Sequence, residues 1–359
     1  MRKTVIIIAV ILSAVMFSCG KEDRVVHNNG GNVNVGEEGT LGEGIYKPSH
    51  RIIAVVQGTD TLQNWTWGTS KLASVSDVQN DETREFDYTG DMLGNVTVTS
   101  GEEVQTIQYT YGGSLVTKME VVNGSQVDVT MNIHHDADDK ISTIGLVISD
   151  DYAIQMALGR VNFKSILGRL IGRNAFEGIA EMLALSVSDR DAKMTVENKY
   201  FSIAYEWDGA NIVRETLTGN LTATAALSDV ADAFNFSSIS SFLSYFGNNE
   251  HPLESTIERV TTYTYDAKRN PLWYYWGDGI GAQNLSRNNI LTATTTGSVE
   301  STITVTLPDN IPMLGGTTRD FNRSTDLSGE ESHTYIYNAY DLPASVTTDG
   351  TTRTYVYSD

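Results

Sequence analysis

The sequence predicts an all-β protein: an antiparallel up-and-down β-meander, strongly curled or barrel-like, with two helical inserts. Three observations predict it. Short runs alternate aromatic or β-branched residues with polar ones at period two, which puts the apolar side chains on one face. Clusters of Gly, Asn and Asp close these runs, as hairpin turns require. The aromatic runs recur about every 20 to 25 residues where nothing intervenes, the length of a hairpin with its turns. Composition agrees, with 17 Tyr and 31 Gly but only 6 Pro in 359 residues. Curl is expected because an open sheet of many strands exposes its edges.

The amino terminus stands apart. Met1, Arg2 and Lys3 form a short basic segment, and residues 4–17 form an apolar run of signal-peptide length. The run is too short to span a bilayer comfortably. It ends at Ser18, Cys19 and Gly20, and Cys19 is the chain's one cysteine. This end resembles the loose lipobox of Bacteroidota lipoproteins. The resemblance implies cleavage between Ser18 and Cys19 and acylation of the Cys19 thiol. Several acyl chains anchor a protein stably where one does so only marginally. Lys21, Glu22 and Asp23 resemble the surface-export signal of such lipoproteins. Residues 28–44 are rich in Gly, Asn and Glu, so residues 19–45 read as a flexible tether. The expected division is 1–18 signal peptide, 19–45 tether and 46–359 β domain.

Within the β domain, residues 51–56 are β-branched and read as the first strand, and Trp65 and Trp67 alternate in the next. Phe86 and Tyr88, then Tyr109 and Tyr111, mark aromatic strands, each followed by a Gly turn and a returning strand. Asn123-Gly124 is a type I′ hairpin signal. The pattern resumes at Phe201, Ile203 and Tyr205, at Tyr263 and Tyr265, at Tyr335 and Tyr337, and at Tyr355 and Tyr357. Near Tyr263 a polar turn is expected over residues 266–271, with a returning strand over 272–275. Apolar residues at helical spacing predict inserts near 161–186 and 228–246. The Gly/Thr-rich stretch 292–325 has no assignable partner.

Two units, Tyr263-Thr264-Tyr265-Asp266 running to Asn270-Pro271 and Tyr335-Ile336-Tyr337-Asn338 running to Leu342-Pro343, resemble YD-type hairpin repeats. More closely, the chain resembles a Bacteroidota lipoprotein family of unknown function with a porin-like fold. The turn residues Asp266, Lys268, Asn270 and Pro271, the step Ser286, Asn288 and Asn289, and the turn Asp341-Leu342-Pro343 carry that likeness. These are turn residues, so the likeness speaks to shape.

The sequence carries few signs of chemistry. The formal net charge of −20 argues against nucleic acid as a partner, because phosphate recognition needs clustered Lys and Arg. There is no nucleophile elbow, zinc-protease motif or phosphate loop. The glycines of Gly277, Gly279 and Gly281 read as a turn, since the strand–turn–helix setting of a nucleotide loop is missing. His134 and His135 are adjacent on a strand and point to opposite faces, so they cannot share a metal ion. Asp136, Asp138 and Asp139 read as a hairpin turn rather than a calcium loop. No cofactor and no metal are expected.

The functional expectation is a membrane-anchored lipoprotein on the cell surface or the periplasmic side of the outer membrane. It would be a non-enzymatic binding module for a glycan or protein, with a hydrolase as the alternative. Trp273, Tyr274, Tyr275 and Trp276 form the candidate contact surface, because rings that alternate on a strand would leave one pair facing outward. Thr61, in Asp60-Thr61-Leu62, resembles a Bacteroidota O-glycosylation acceptor.

Overall fold

A computed structural model describes residues 46, 48, 50–157, 166–184, 195–226, 234, 249–306 and 316–358. The signal peptide, Cys19 and the tether lie outside the described residues, as does the second helical insert apart from Phe234.

Nine strands run first as successive hairpins: β1 (Ile52–Gln57), β2 (Asp60–Trp67), β3 (Leu72–Asp77), β4 (Glu82–Thr89), β5 (Met92–Ser100), β6 (Glu103–Gly112), β7 (Leu115–Asn123), β8 (Gln126–His135) and β9 (Ile141–Ile148). Three helices follow: α1 (Asp150–Ala157), α2 (Ile166–Ile171) and α3 (Arg173–Ala184). Then come four long strands, β10 (Thr195–Asp208), β11 (Asn211–Ala226), β12 (Glu250–Arg269) and β13 (Asn288–Thr306). Residues 270–287, between β12 and β13, hold the short helix α4 (Ala282–Leu285). The chain ends with β14 (Thr318–Asp326), β15 (Gly329–Tyr337), β16 (Pro343–Thr348) and β17 (Thr351–Tyr357).

Every pairing is antiparallel, and β17 returns to β1 with Ile52 opposite Tyr357 and Val56 opposite Thr354. The sheet therefore closes. Along β13, Thr292 to Thr295 pair with β15 and Ser298 to Thr306 pair with β14. The two short strands lie end to end and occupy one place in the ring, which makes a closed 16-strand barrel. This is the curled meander that the alternation predicts. The unassigned stretch 292–325 contains most of β13 and nearly all of β14.

Two local expectations differ from the structure. Strand β12 continues through Asp266 to Arg269, so the polar turn begins only at Asn270, and residues 272–275 are turn rather than strand. The side chains of Asp266 and Lys268 are satisfied from neighbouring segments, so the extended backbone can tolerate them. In the first insert, α2 and α3 fall where helical spacing placed them, while α1 begins earlier, with Asp150 and Asp151 in its first turn. One of its first-turn amide donors is met by Ser149, whose Oγ accepts from the Tyr152 N–H at 3.2 Å.

The two faces of β12 and β13 differ, with the large apolar side chains on the inner one. On β12, Leu253 and Ile257 face inward and are buried, while Glu254, Thr256, Glu258 and Thr262 are exposed. On β13, Val299, Ile303 and Val305 are buried, while Thr294, Thr296 and Glu300 are exposed. A barrel spanning a bilayer needs an apolar outer band. On these two strands the outer face is mostly hydroxyl and carboxylate, tied to β14 by Thr304 Oγ1 to Asp320 at 2.8 Å and Thr302 Oγ1 to Asn322 at 2.8 Å.

A ring of sixteen strands is too wide for its own inward side chains to fill. Helices α2 and α3 fill part of it. Leu167, Leu170, Phe176, Ile179 and Met182 share one hydrophobic core with Met119, Met131, Ile144, Phe201 and Leu217 of the wall. The 270–287 segment closes one end. Within it Gly279 has φ +121°, and a Cβ there would sit 2.3 Å from the Arg169 carbonyl oxygen. The Ile280 N–H donates to the Leu170 carbonyl at 2.8 Å alongside this contact.

Gly279→Ala should therefore cost about 3 kcal/mol, since neither the backbone conformation nor the contact admits a side chain. Gly58→Ala, in an open turn with φ +59°, should cost about 1 kcal/mol. Chemical denaturation midpoints would measure both, and equal costs would show that the 270–287 segment is not held against α2.

Candidate functional site

The turn residues of the repeat-like units meet in space. Asp266 Oδ1 accepts from the backbone N–H of Lys268 at 2.9 Å and of Asn289 at 3.1 Å, and Tyr337 donates its hydroxyl to Asp266 Oδ2. Asn270 Nδ2 donates to the Ser286 carbonyl at 2.9 Å, and Asn288 Nδ2 to the Lys268 carbonyl at 2.9 Å. Lys268 reaches Asp341 in the β15–β16 turn at 2.6 Å. These residues form a clasp that fastens the 270–287 segment across the barrel end. Its polar atoms serve one another, which makes it structural.

The aromatic run lies inside that segment, not on a strand. Tyr275 and Trp276 are 1% and 3% exposed. Tyr275 packs on Trp65, Phe86 and Tyr46, and Arg84 donates to its hydroxyl at 3.4 Å. Trp273 and Tyr274 are half-buried and stacked on each other, with centroids 4.4 Å apart. The expected outward pair does not form, because alternation requires an extended strand and Tyr274 sits at φ +67°. The remaining candidates are surface features. Thr61 is exposed beside the β1–β2 turn, His134 and His135 sit at the end of β8, and Asp136 Oδ1 accepts from the N–H groups of Asp138 and Lys140 in its own turn. Gly277 lies in a single 3-10 turn over Trp276–Asp278, and Gly279 follows as its C-cap.

The lumen itself provides a better candidate. On β5 to β11 the inward side chains are mostly Val, Ile, Leu, Met and aromatic rings, with Glu215 of β11 buried among them. On β15 and β17 the same face carries Glu331, His333, Tyr335 and Tyr337, then Arg353, Tyr355 and Tyr357. Between these two rows β16 presents Val346 and Thr348. A cavity of about 410 Å³ separates this arc from Pro271, Leu272 and Gln283 of the plug. A second, of about 370 Å³, lies towards α3 and β12 and shares Glu331 and Asp349 with the first. Both fall in the size range of small-ligand sites.

The cavity walls are well ordered by their neighbours. His333 Nδ1 and Thr348 Oγ1 are 2.7 Å apart across the β15–β16 pair, and His333 Nε2 is 3.8 Å from Glu331. Burial lowers the His333 pKa, with the Glu331 and Asp349 carboxylates opposing it, so the ring is neutral at pH 7. Tyr337 and Tyr357 at the plug end donate to Asp266 and to the Pro343 carbonyl. The hydroxyls of Tyr335 and Tyr355 make no hydrogen bond to any described residue, and both side chains line the cavity. Burial raises the pKa of each, which keeps them as donors.

Sequence reasoning passed over this arc. Its signal was present: Glu331 and His333 share parity with the tyrosines of their own strand, so polar residues occupy the face that elsewhere is core.

A further polar group lies behind the second cavity. Glu215 is 5% exposed, accepts from the Tyr263 hydroxyl at 3.3 Å and feels Arg259. Burial pushes its carboxyl up to about 7, against those two partners.

No family model matches the chain, and no curated protein matches it. Among solved structures the chain is similar to a porin-like protein from Bacteroides vulgatus ATCC 8482, with TM-score 0.39 and 11% identity over 86% of this chain and 98% of that one. It is also similar to a porin-like protein from Bacteroides uniformis ATCC 8492, with TM-score 0.24 and 10% identity over 85% of this chain and 94% of that one.

Glu215 predicts a pH dependence of stability. Its pKa in the folded state, about 7, exceeds the ordinary 4.5, so folded protein keeps the proton over that interval while unfolded chain releases it. Stability should fall as pH rises from about 4.5 to about 7, by about 3 kcal/mol in all. Glu215→Gln should match the parent near pH 4.5 and exceed it by that amount above pH 8. Urea melts at the two pH values decide it.

Proposed function

We propose that the protein is a lipid-anchored, non-enzymatic binding module that takes a glycan in the lumen of a water-soluble barrel. One observation carries this reading: the inward arc of β15 to β17 is polar and tyrosine-lined and faces a cavity, whereas the inward side chains of β5 to β9 are mostly packed in the apolar core. Tyrosine rings offer flat apolar faces and hydroxyl donors together, a pairing that suits sugar rings. His333 and Arg353 add polar contacts at the same wall. The polar outward residues of β12 and β13 favour a barrel held beside a membrane rather than within it. The sequence at Ser18, Cys19 and Gly20 supplies the anchor. A hydrolase reading gains no specific support from the cavity, because the His333–Thr348 contact is the side-chain pairing expected of directly opposed residues in neighbouring strands.

A glycan-array screen of the soluble domain should return binders, and Tyr335→Ala and Tyr355→Ala should each weaken the best of them at least about tenfold. Binding that survives both substitutions would place the ligand elsewhere. Cys19→Ala should move the full-length protein from the membrane fraction to the soluble fraction, as sedimentation and immunoblotting would report.

A further inference from the structure

We infer that the outward face of β15 to β17 and β1, beside the plug, rests on the lipid surface that holds Cys19. This rests on the lipid-anchor reading above and adds a contact face to it. Ile336, Ser345, Thr354 and Val56 are directly opposed across the four strands. One step towards the plug, Val356 lies opposite Ala54, and the bulge between Ile52 and Ala54 leaves Ile53 outside as well. Ile336 is 66% exposed, Ile53 40% and Val356 37%. In the β15–β16 turn Tyr340 is 66% exposed, with its ring centroid 4.1 Å from that of His50. From Ser332 on β15, and along β16, β17 and β1, the outward side chains are Ser, Thr, Ala, Val and Ile and carry no charge. The same face of β12 to β14 carries Glu254, Glu258, Glu300 and Asp320. In a chain of net charge −20, an outward face without charge is the one that loses least hydration on meeting a membrane.

The course of the chain selects lipid as the occupant. Tyr46 is buried at the plug end, and four residues later His50 meets Tyr340 at the rim of this face. Residues 19–45 join that point to the anchored thiol, and a Gly-rich chain of their length spans about 30 Å root-mean-square. Tethering at that range presents the face to the bilayer at an effective concentration on the order of millimolar. A few partly exposed apolar side chains are then enough, because even a weak intrinsic affinity is met. Tyrosine suits the boundary between headgroups and acyl chains, with an apolar body and a polar tip. A second copy of the chain would need about 800 Å² from each partner, more than four partly exposed side chains offer.

Lipid-borne quenching of a site-specific fluorophore tests the inference on the full, acylated protein in vesicles of phosphatidylethanolamine and phosphatidylglycerol. Cys19 is the chain's one cysteine and acylation blocks it, so a single new thiol is labelled alone. Ile336→Cys and Tyr340→Cys place a polarity-sensitive label on the face. Val147→Cys places it on β9, about half a ring away, at a side chain as apolar and 59% exposed. The expected result is a blue shift and loss of fluorescence to spin-labelled lipid at 336 and 340, and neither at 147. Adding Ile53→Glu and Val356→Glu should abolish the quenching at 340. Quenching at 147 equal to that at 336, or at no position while the protein still floats with the vesicles, would overturn the inference and leave the anchor standing. A blue shift at 336 that ignores the lipid quencher and grows with protein density would overturn it in favour of a second copy. Acylation-competent protein that fails to float with the vesicles would overturn the anchor reading and this inference together.

Discussion

The structure depends on how a wide ring is filled. Closing sixteen strands removes every edge, but it leaves a lumen that strand side chains alone cannot occupy. The filling is fastened by a buried cluster of charges. Arg84, 1% exposed on β4, lies with its Nε 3.1 Å from Glu82 Oε1. Arg169 of α2 reaches the other oxygen of the same carboxylate at 2.8 Å. Arg84 also donates to Tyr275 of the plug at 3.4 Å. One carboxylate and two guanidinium groups thus join wall, helix and plug. Burying such charges gains little net stability over an apolar packing, yet removing one partner costs about 3–5 kcal/mol. The cluster therefore fixes where the helices sit more than how strongly they are held.

From that fixed point the lumen divides. Helices α2 and α3 lean on β5 to β13, and the plug is pinned to them through Gly279 and Ile280. Tyr46, ahead of β1, enters the same end, packs on Trp65 and Trp67 and donates its hydroxyl to the Pro271 carbonyl. The filling is one-sided as a consequence. What remains open is the arc opposite the helices, where the wall is short and the inward residues are polar. The cavity is thus where the packing stops, and the composition of the wall changes at the same place.

Much of this was legible in the sequence, and the failures have identifiable causes. Period-two alternation found the strands, because each buries one face and each turn has its own Gly, Asn or Asp. Asn123-Gly124 turns as expected, with Gly124 at φ +59°. The long strand β13 was unreadable because its outward residues are Thr and Ser and its inward set includes Ala293, Thr295 and Ser301, so hydrophobic contrast is weak. The aromatic run at 273–276 misled for the opposite reason: four large rings look like an alternating strand, while backbone geometry, set by Pro271 and the glycines after it, makes them a plug. Closure itself was expected only as a tendency, since pairing of β1 with β17 is a contact across nearly the whole chain.

The candidate site was hidden by a limit of pattern reading. Tyr335, Tyr337, Tyr355 and Tyr357 lie on the same inward face, two to a strand, and alternation treats them alike. Their surroundings separate them. At the plug end, Tyr337 and Tyr357 find acceptors in Asp266 and the Pro343 carbonyl. One step up each strand, Tyr335 and Tyr355 find none among the described residues and face the cavity instead. A buried phenol that stays without an acceptor forfeits about 1–3 kcal/mol. A cavity wall keeps that loss smaller by leaving the hydroxyl reachable from solvent, and a ligand that accepts from both hydroxyls would recover it. Occupancy of the lumen by such a ligand would in this way be coupled to the stability of the barrel through the same two side chains.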